Sequence, residues 1–188
     1  MINSLKQKEL ESQAIASEKR IFEGKVFSVI REDLKFEGLP PHFWEIVQHP
    51  GAVALLPVTQ KGTLLLIQQW RRPVEKILYE IPAGTLKKNE IPEKAAIREL
   101  QEEIGYLPKT LIPFGGLYSA PGFCSEYIHL YIAKDLSEST LPADDHEAID
   151  IVELSLEEAL GFIDDGTIQD AKTIISLLRY QRLLETHA

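Results

Sequence analysis

The chain has 188 residues, of which 44% are hydrophobic and 26% charged, a composition typical of one globular domain with at most a small extension. Its formal net charge of −9 at pH 7 argues against nucleic acid and anionic membrane surfaces as partners, because both attract basic proteins. We expect neither a membrane span nor a signal peptide, since no apolar run has the required length. The single cysteine, Cys124, excludes an internal disulfide and favours a reducing compartment, so we expect a cytoplasmic protein.

Residues 1–48 are predicted to form a small N-terminal extension. Residues 1–20 suit a short helix, and from Gly24 onwards apolar residues alternate with period two. This alternation predicts three strands, which cover residues 26–31, the region around Leu34 and Phe36, and residues 43–48. Three short strands bury little surface alone, so we expect them to pack on the rest of the chain or on a second subunit.

His49-Pro50-Gly51 breaks the alternation and begins the main domain, residues 49–188. Residues 64–67 are all apolar, which predicts a central strand covered on both faces. Ser155-Leu156-Glu157-Glu158 is a capping box that predicts a helix ending at Gly166. The other predicted elements are strands over 52–58, 63–69, 77–81, 111–117, 125–133 and 149–154, and a last helix over 170–184. This mixture predicts an α/β fold with a mixed sheet between helical layers.

The stretch from Gly84 to Tyr106, GTLKKNEIPEKAAIRELQEEIGY, predicts a loop that leads into a helix. Pro92 suits the first helical turn because it has no N–H to lose, and Gly105 suits the left-handed position just past the end. The helical period predicts an apolar face and an acidic face that points away from the packing. The apolar face comprises Ile97, Leu100 and Ile104, and the acidic face comprises Glu99, Glu102 and Glu103.

Glu99 and Glu103 stand one helical turn apart with no Lys or Arg placed to separate them, which destabilises a helix by roughly 0.2–0.5 kcal/mol. A bound cation would remove this penalty. Hard divalent ions such as Mg²⁺ take carboxylate oxygens and keep several waters, so the acidic cluster predicts a magnesium site with room for a phosphate ligand; Mn²⁺ is an alternative ion. Arg98 is expected to reach Glu102 one turn on, or to hold the preceding loop through Glu90.

Gly84, Glu90 and the run from Arg98 to Gly105 stand at the spacing of a complete Nudix box, with Tyr106 in place of the usual final aliphatic residue. The chain therefore resembles Nudix hydrolases, which act on nucleoside diphosphates linked to another moiety. The resemblance implies the α/β/α sandwich of that family over roughly residues 50–184. The metal ligands that it implies are the backbone carbonyl of Ala83 and the carboxylates of Glu99, Glu102 and Glu103.

Pro121 stands sixteen residues beyond Gly105, an offset that resembles the ADP-ribose pyrophosphatase branch of the family. The segments VFSVIRED, FWEIVQHPGAVALLPV and QQWRRPVEKILYEIPAG resemble that branch as well. This resemblance implies a homodimer whose N-terminal strands reach into the partner's site, with the adenine stacked on aromatic side chains. By position it assigns the base to Trp44, with Glu45 as a base or ribose contact and Pro121 beside the substrate. The alternative for Trp44 is a place in the core.

Arg71 follows the apolar strand, and a guanidinium matches a phosphate better than an ammonium does. The same branch has an arginine at the matching position, so Arg71 is expected to bind the phosphates or the terminal ribose. Glu80, just before the box, is expected to make a further substrate contact.

A general base is expected after the box, because hydrolases of this branch resemble one another in taking it from a later loop. Glu147 in the acidic loop 143–147 is our candidate, and Asp145 and Glu102 are the alternatives, since acidic loops are as often simple turns. The predicted catalytic residues are Glu147, Glu102 and Arg98.

The resulting hypothesis is Mg²⁺-dependent hydrolysis of ADP-ribose to AMP and ribose 5-phosphate. One alternative is a pyrophosphatase for another nucleoside diphosphate sugar, such as GDP-mannose, or for a dinucleotide. The other is a binding module that senses ADP-ribose without cleaving it. The intact box favours the enzyme.

Overall fold

The computed structural model describes residues 3–142 and 148–187, which divide into two compact units. The first unit comprises residues 1–50 and 120–126, and the second comprises residues 51–119 and 127–188. The sequence predicted a boundary after residue 48 and assigned residues 120–126 to the main domain, whereas they belong to the first unit. The assignment of two domains stays a prediction. None of the helices in the described ranges combines the length and the apolar character that a membrane span requires.

Within its described residues, the first unit consists of a helix followed by a three-stranded antiparallel sheet in the order β1-β2-β3. Its elements are α1 (Ser4–Gln13), β1 (Ile15–Glu23), β2 (Ser28–Lys35) and β3 (His42–Gln48). Helix α1 begins at Asn3, whose side chain accepts a hydrogen bond from the backbone N–H of Lys6 at 2.9 Å. No residue of α1 is buried, so this cap stabilises a helix that gains little from packing.

The N-terminal strands differ from those predicted. Residues 1–20 were expected to be helical, but β1 already begins at Ile15. Every residue of β1 is exposed, so its sequence carries no burial pattern, and the strand depends on its hydrogen bonds to β2. The two strands predicted over residues 26–31 and around Leu34 and Phe36 are the single strand β2.

The second unit contains two sheets and three helices within its described residues. Its elements are β4 (Ala52–Pro57), β5 (Leu64–Arg71), β6 (Lys76–Glu80), β7 (Ala83–Thr85), α2 (Pro92–Glu103), β8 (Tyr106–Tyr118), β9 (Tyr127–Glu138), β10 (Ile149–Leu154), α3 (Leu156–Asp164) and α4 (Ala171–His187). One sheet is antiparallel, in the order β10-β5-β6. The other has the order β7-β4-β9-β8 and is mixed, because β4 and β9 run parallel while its other pairs are antiparallel. The prediction of an α/β fold with a mixed sheet is confirmed.

Strand β5 separates two apolar clusters, as its uninterrupted apolar sequence predicts. Leu64 and Leu66 belong to one cluster, and Leu65 and Ile67 belong to the other. All four side chains are at most 6% exposed. Fully burying a side chain of this kind is worth about 1.5–3 kcal/mol, so the strand anchors both faces of the unit. The first cluster includes Ala159, Leu177 and Tyr180 from α3 and α4, and the second includes Ala95, Ala96 and Leu100 from α2.

The helix ends follow the local sequence as predicted. Pro92 stands in the first turn of α2, and Gly105 lies just past its end with φ of +74°. The side chain of Ser155 accepts a hydrogen bond from the Glu158 N–H at 3.2 Å, and the Ser155 N–H donates to the Glu158 carboxylate at 2.8 Å. This capping box satisfies N–H groups that would otherwise lack a partner at the start of α3.

Candidate active site

Helix α2 buries Leu100, and Ile104 just past its end, as its hydrophobic period predicts, but its buried face extends beyond them. Its buried residues are Ala95, Ala96, Glu99 and Leu100, whereas Ile97 is only half-buried. The small alanine side chains bring the helix close to its neighbours, and Glu99, one turn beyond Ala95, enters the same interface. The prediction that Glu99 points away from the packing is therefore wrong. The Glu99 side chain is 11% exposed.

The carboxylate of Glu99 lies directly against strand β7. A Cβ atom added to Gly84 would lie 1.9 Å from Cδ of Glu99 and 2.0 and 2.3 Å from its two carboxylate oxygens. Position 84 therefore has no room for a side chain. The neighbouring Ala83 donates its backbone N–H to Oε2 of Glu103 at 2.9 Å. The two carboxylates predicted to share a metal ion thus meet consecutive residues of one strand.

Arg98 lies at the centre of the acidic residues on and before α2. Its Nε and Nη2 donate to the two carboxylate oxygens of Glu90, both at 2.9 Å. Its Nη1 donates to Glu99 Oε1 and to Glu102 Oε2, both at 2.7 Å. Both partners proposed from the sequence are present, and Glu99 is an additional one. Arg98 thus bonds to Glu99 on the side of Glu90 and Glu102.

The electrostatic environment differs among these carboxylates. Hydrogen bonds from Arg98 lower the pKa of Glu90 to about 2. Burial raises the pKa of Glu99, since the loss of solvent outweighs the attraction of Arg98, and the charges of Glu102 and Glu90 raise it further. Three carboxylates share one guanidinium, which leaves two negative charges uncompensated within the cluster. A cation beside Glu99 would stabilise its charged form.

The donor atoms at this place suit a hard divalent cation. As the side chains stand in residues 3–142 and 148–187, no group of three or more His, Cys, Asp or Glu is arranged to hold a metal ion. Glu99 is nevertheless a buried, poorly solvated carboxylate against Gly84, and Glu103 lies at the adjacent Ala83. Carboxylate and backbone carbonyl oxygens are the ligands that such cations prefer. The residues therefore fit a divalent metal ion in chemistry, and Arg98 is the group that it would displace.

Arg71 and Glu80, which were predicted as separate substrate contacts, bind each other. Nε of Arg71 donates to Glu80 Oε1 and Nη2 donates to Oε2, both at 2.7 Å. The Glu80 side chain is 2% exposed and that of Arg71 is 34% exposed. Burial alone would raise the pKa of Glu80, but Arg71 and Lys172 outweigh it and lower the pKa. The hydrogen bond to Glu80 raises the pKa of Arg71, and the nearby charge of Glu103 adds to this.

Lys172 in the first turn of α4 is a member of this group that the sequence did not indicate. Its Nζ donates to Oε2 of Glu80, although 92 residues separate the two along the chain. It also lies 3.1 Å from Oδ1 of Asp170. A lysine near the start of a helix carries no local signal for such a contact, and only the packing of α4 beside β6 reveals it.

The first unit contains a cavity of about 500 Å³ that brings together two of the predicted substrate contacts, Trp44 and Pro121. Trp44 is half-buried there, while its neighbour Phe43 is 46% exposed. Successive side chains of a strand point to opposite faces, so Glu45 lies on the other side of β3 and does not line the cavity. Glu32 lines the cavity instead. Among the described residues, the cavity is lined by Glu11, Glu32, Trp44, Ile46, Pro121, Gly122, Phe123, Cys124 and Ser125.

Glu32 is a cavity residue that sequence reasoning missed. It is the cross-strand partner of Trp44 in the β2–β3 ladder, and directly opposite residues share a face of a sheet. A correct register for β2 and β3 would have identified it. The predicted base Glu147 and its alternative Asp145 lie outside the described residues.

Comparison with known proteins places this geometry in a family. The family model described as a NUDIX domain matches residues 48–177. The chain therefore belongs to the Nudix family, and the prediction of a Nudix hydrolase is confirmed.

The likeness extends over almost the whole chain. An ADP-ribose pyrophosphatase from Bacillus subtilis (strain 168) is 41% identical over 180 residues, which cover 95% of this chain and 96% of the relative. A methanol dehydrogenase activator from Bacillus methanolicus is 40% identical over 177 residues, which cover 93% of this chain and 95% of the relative. A solved structure described as an ADP compounds hydrolase has a TM-score of 0.81 and 22% identity, and the match covers 93% of this chain and 96% of that chain. The last comparison concerns the fold.

Proposed function

We propose that this chain hydrolyses the diphosphate bond of ADP-ribose to give AMP and ribose 5-phosphate, with Mg²⁺ as its metal ion and Mn²⁺ as a substitute. The observation that carries the proposal is the 41% identity to an ADP-ribose pyrophosphatase over 95% of the chain. The acidic cluster on α2 supports it, because a diphosphate needs cations between itself and a protein of net charge −9.

The metal ligands in this proposal are the carbonyl oxygen of Ala83 and the carboxylates of Glu99, Glu102 and Glu103. A divalent ion held there would neutralise the diphosphate and lower the pKa of a bound water. Arg98 has a separate role, because it holds Glu90 in the preceding loop and so fixes that loop to α2.

Arg71 is the proposed phosphate ligand. Its bonds to Glu80 use Nε and Nη2, and its side chain is 34% exposed, so part of the guanidinium remains accessible. Glu147 is the proposed general base. It accepts a proton from the water whose oxygen bonds to one phosphorus, while the bond from that phosphorus to the bridging oxygen breaks and the second phosphate leaves.

The cavity in the first unit is the proposed site for the base of the nucleotide. Trp44 offers an aromatic face, and base stacking on such a face is worth about 1–3 kcal/mol. Pro121 borders the same cavity. Glu32 supplies a carboxylate that accepts hydrogen bonds from amino groups of a base, a role first expected for Glu45. For Glu45 the substrate role stays a prediction.

We also propose that the chain forms a homodimer through the sheet of the first unit. Strand β1 stands at the edge of that sheet and is exposed along its whole length. Its apolar side chains Ile15, Ile21 and Phe22 are 73%, 53% and 49% exposed. An exposed edge strand with apolar side chains is a surface that normally pairs with another chain. Analytical ultracentrifugation of Phe22→Glu, with Leu5→Glu on the exposed helix α1 as control, should give a monomer only for the first variant.

We further infer a cytoplasmic location. The single Cys124 supports it, because the chain forms no internal disulfide that an oxidising compartment would favour.

The proposed reaction is tested by incubating the protein with ADP-ribose and Mg²⁺ and identifying the products by anion-exchange chromatography. AMP and ribose 5-phosphate are expected, and Glu147→Gln should lower kcat by about 10²–10⁴-fold, the usual contribution of a general base. Glu103→Gln should raise the Mg²⁺ concentration that gives half-maximal rate. Faster turnover of GDP-mannose or of a dinucleotide in the same panel would refute the substrate assignment. Calorimetric binding of ADP-ribose without product would instead identify a sensor.

The identity to the methanol dehydrogenase activator supports a second function, the activation of an alcohol dehydrogenase. Adding the chain to a methanol dehydrogenase should then raise the initial rate of methanol oxidation. Comparing the wild type with Glu103→Gln in that assay tells whether activation needs the same acidic cluster. An unchanged dehydrogenase rate with the wild type would remove this function.

A further inference from the structure

The buried carboxylate of Glu80 receives two cations. Arg71 reaches it from β5 through two hydrogen bonds of 2.7 Å, and Lys172 reaches it from α4 through a third. Arg71 and Lys172 both bond to Oε2, so they share one oxygen of a side chain that is 2% exposed. The negative charge of Glu80 is therefore divided between two cations, and Lys172 has a second carboxylate, that of Asp170, at 3.1 Å.

The position of Lys172 is fixed by the first turn of α4. Oδ2 of Asp170 accepts hydrogen bonds from the backbone N–H and the hydroxyl of Thr173, at 3.0 and 2.6 Å. Oδ1 of the same carboxylate lies 3.1 Å from Nζ of Lys172. The hydroxyl of Thr173 in turn accepts the N–H of Ile81 at 2.9 Å, which ties α4 to the residue that follows Glu80. Lys172 is therefore held from two sides and does not sample solvent freely.

We propose that Lys172 is a positioning residue that holds Glu80 in place and shares its negative charge, so that Arg71 keeps a defined orientation towards the diphosphate and is less fully neutralised by Glu80. This inference rests on the proposed function, in which Arg71 is a phosphate ligand. The bonds of Arg71 to Glu80 use Nε and Nη2, and Nη1 has no hydrogen-bond partner among the described residues. Without Lys172, the guanidinium would face a full carboxylate charge and would attract a phosphate less strongly.

A purely structural role for Lys172 makes a different prediction. Removing one member of a buried ion pair is usually destabilising, because the remaining charge is left buried with less compensation. Lys172 contacts two carboxylates while its side chain is 12% exposed, so its desolvation is considerable. A structural lysine would therefore change the melting temperature when replaced, and it would leave the affinity for a diphosphate alone.

The test compares Lys172→Met, Lys172→Gln and Lys172→Arg with Lys61→Met, which removes the same charge from an exposed turn. The readouts are KM and kcat for ADP-ribose and for GDP-mannose, and the calorimetric Kd for ADP in the presence of Mg²⁺. Lys172→Met and Lys172→Gln should raise KM and Kd about ten- to a hundredfold with a smaller change in kcat, the range expected when a bond between charged groups is lost. Lys172→Arg should recover most of the affinity, and Lys61→Met should match the wild type.

The rise in Kd caused by Lys172→Met must disappear when Arg71 is absent. In an Arg71→Met background, Lys172→Met should change Kd by less than about twofold, because residues that act through one another are not additive. An undiminished effect in that background, or wild-type KM and Kd in both Lys172→Met and Lys172→Gln, would overturn the inference. The ADP measurement is independent of turnover. If the wild type hydrolyses GDP-mannose and not ADP-ribose, the proposed substrate is refuted. The Kd values for ADP still test the roles of Lys172 and Arg71.

Discussion

The contact between Gly84 and Glu99 makes the sharpest prediction about the metal site. In Gly84→Ala the new Cβ would lie 1.9 Å from Cδ of Glu99, whereas carbon atoms in contact prefer about 3.5–4.0 Å. Gly84 does not have positive φ, so the substitution strains no backbone dihedral and acts through this contact alone. Because the carboxylate is the far end of a flexible side chain, it moves and the strand remains in place.

The size of the effect follows from that displacement. Relieving the overlap requires the Glu99 carboxylate to move by about 1.5 Å, and misplacing a catalytic group by about 1 Å costs on the order of 10²-fold in rate. The affinity for Mg²⁺ should fall by about 10–100-fold, as it does when a group that orients a metal ligand is lost. Overpacking should lower the free energy of unfolding by only about 1–3 kcal/mol. Gly84→Ala should therefore be a folded protein with little activity.

The assay is the initial rate of ADP-ribose hydrolysis as a function of Mg²⁺ concentration, with thermal unfolding followed by circular dichroism. Gly161→Ala is the matched control, because a Cβ added at Gly161 meets nothing within 4 Å. It lies inside α3, where Ala is favoured over Gly by about 1 kcal/mol, so its activity should equal that of the wild type and its stability should not fall. Retention of the wild-type rate and Mg²⁺ dependence by Gly84→Ala would refute the placement of Glu99 in the metal site.

Two further predictions concern Glu90, in the loop before α2, and the cavity of the first unit. Because Arg98 lowers the pKa of Glu90 from 4.5 to about 2, stability is present above pH 4.5 and is lost as the pH falls towards 2, by at most about 3 kcal/mol. Urea unfolding at stepped pH should show this loss in the wild type and not in Glu90→Gln; identical pH slopes would contradict the pairing. Trp44→Ala should raise KM for ADP-ribose about 5–150-fold, the loss of one stacked base, while Phe43→Ala on the opposite face of β3 should not. Equal KM values in the two variants would remove Trp44 from the base site.

The sequence predicts the local features of α2 because single residues determine them. Pro92 begins the helix and Gly105 follows its end with φ of +74°, both for reasons of backbone geometry that act within a few residues. Which face of the helix is buried depends also on how the helix packs against the rest of the unit. Ala95 and Ala96 contribute little to a hydrophobic period, yet their small size allows close packing, and this packing buries Glu99. The period therefore predicts the helix and the burial of Leu100 and Ile104, but it misses the burial of Glu99.

Contacts between distant segments could not be predicted. Strand β1 is exposed along its length and is defined by its pairing with β2, so its own residues give no alternation to detect. The bond from Lys172 to Glu80 depends on how α4 packs beside β6. Arg71 and Glu80 were each identified from their positions, but the sequence did not indicate that they bind each other. These three contacts were missed because they arise from the pairing and packing of separate elements of the chain.

In the second unit, charged side chains are buried or crowded at the places where the chemistry is proposed, and this arrangement lowers stability. Glu99 is buried with a raised pKa, and three carboxylates share the single guanidinium of Arg98. Glu80 is buried between Arg71 and Lys172, and Lys172 in turn contacts Asp170. Apolar side chains often fill such buried positions at lower cost. A divalent cation at the first group would neutralise its excess negative charge, and Arg71 in the second group would donate hydrogen bonds to a phosphate. The buried charges of this unit therefore suit the magnesium diphosphate that we propose as its substrate.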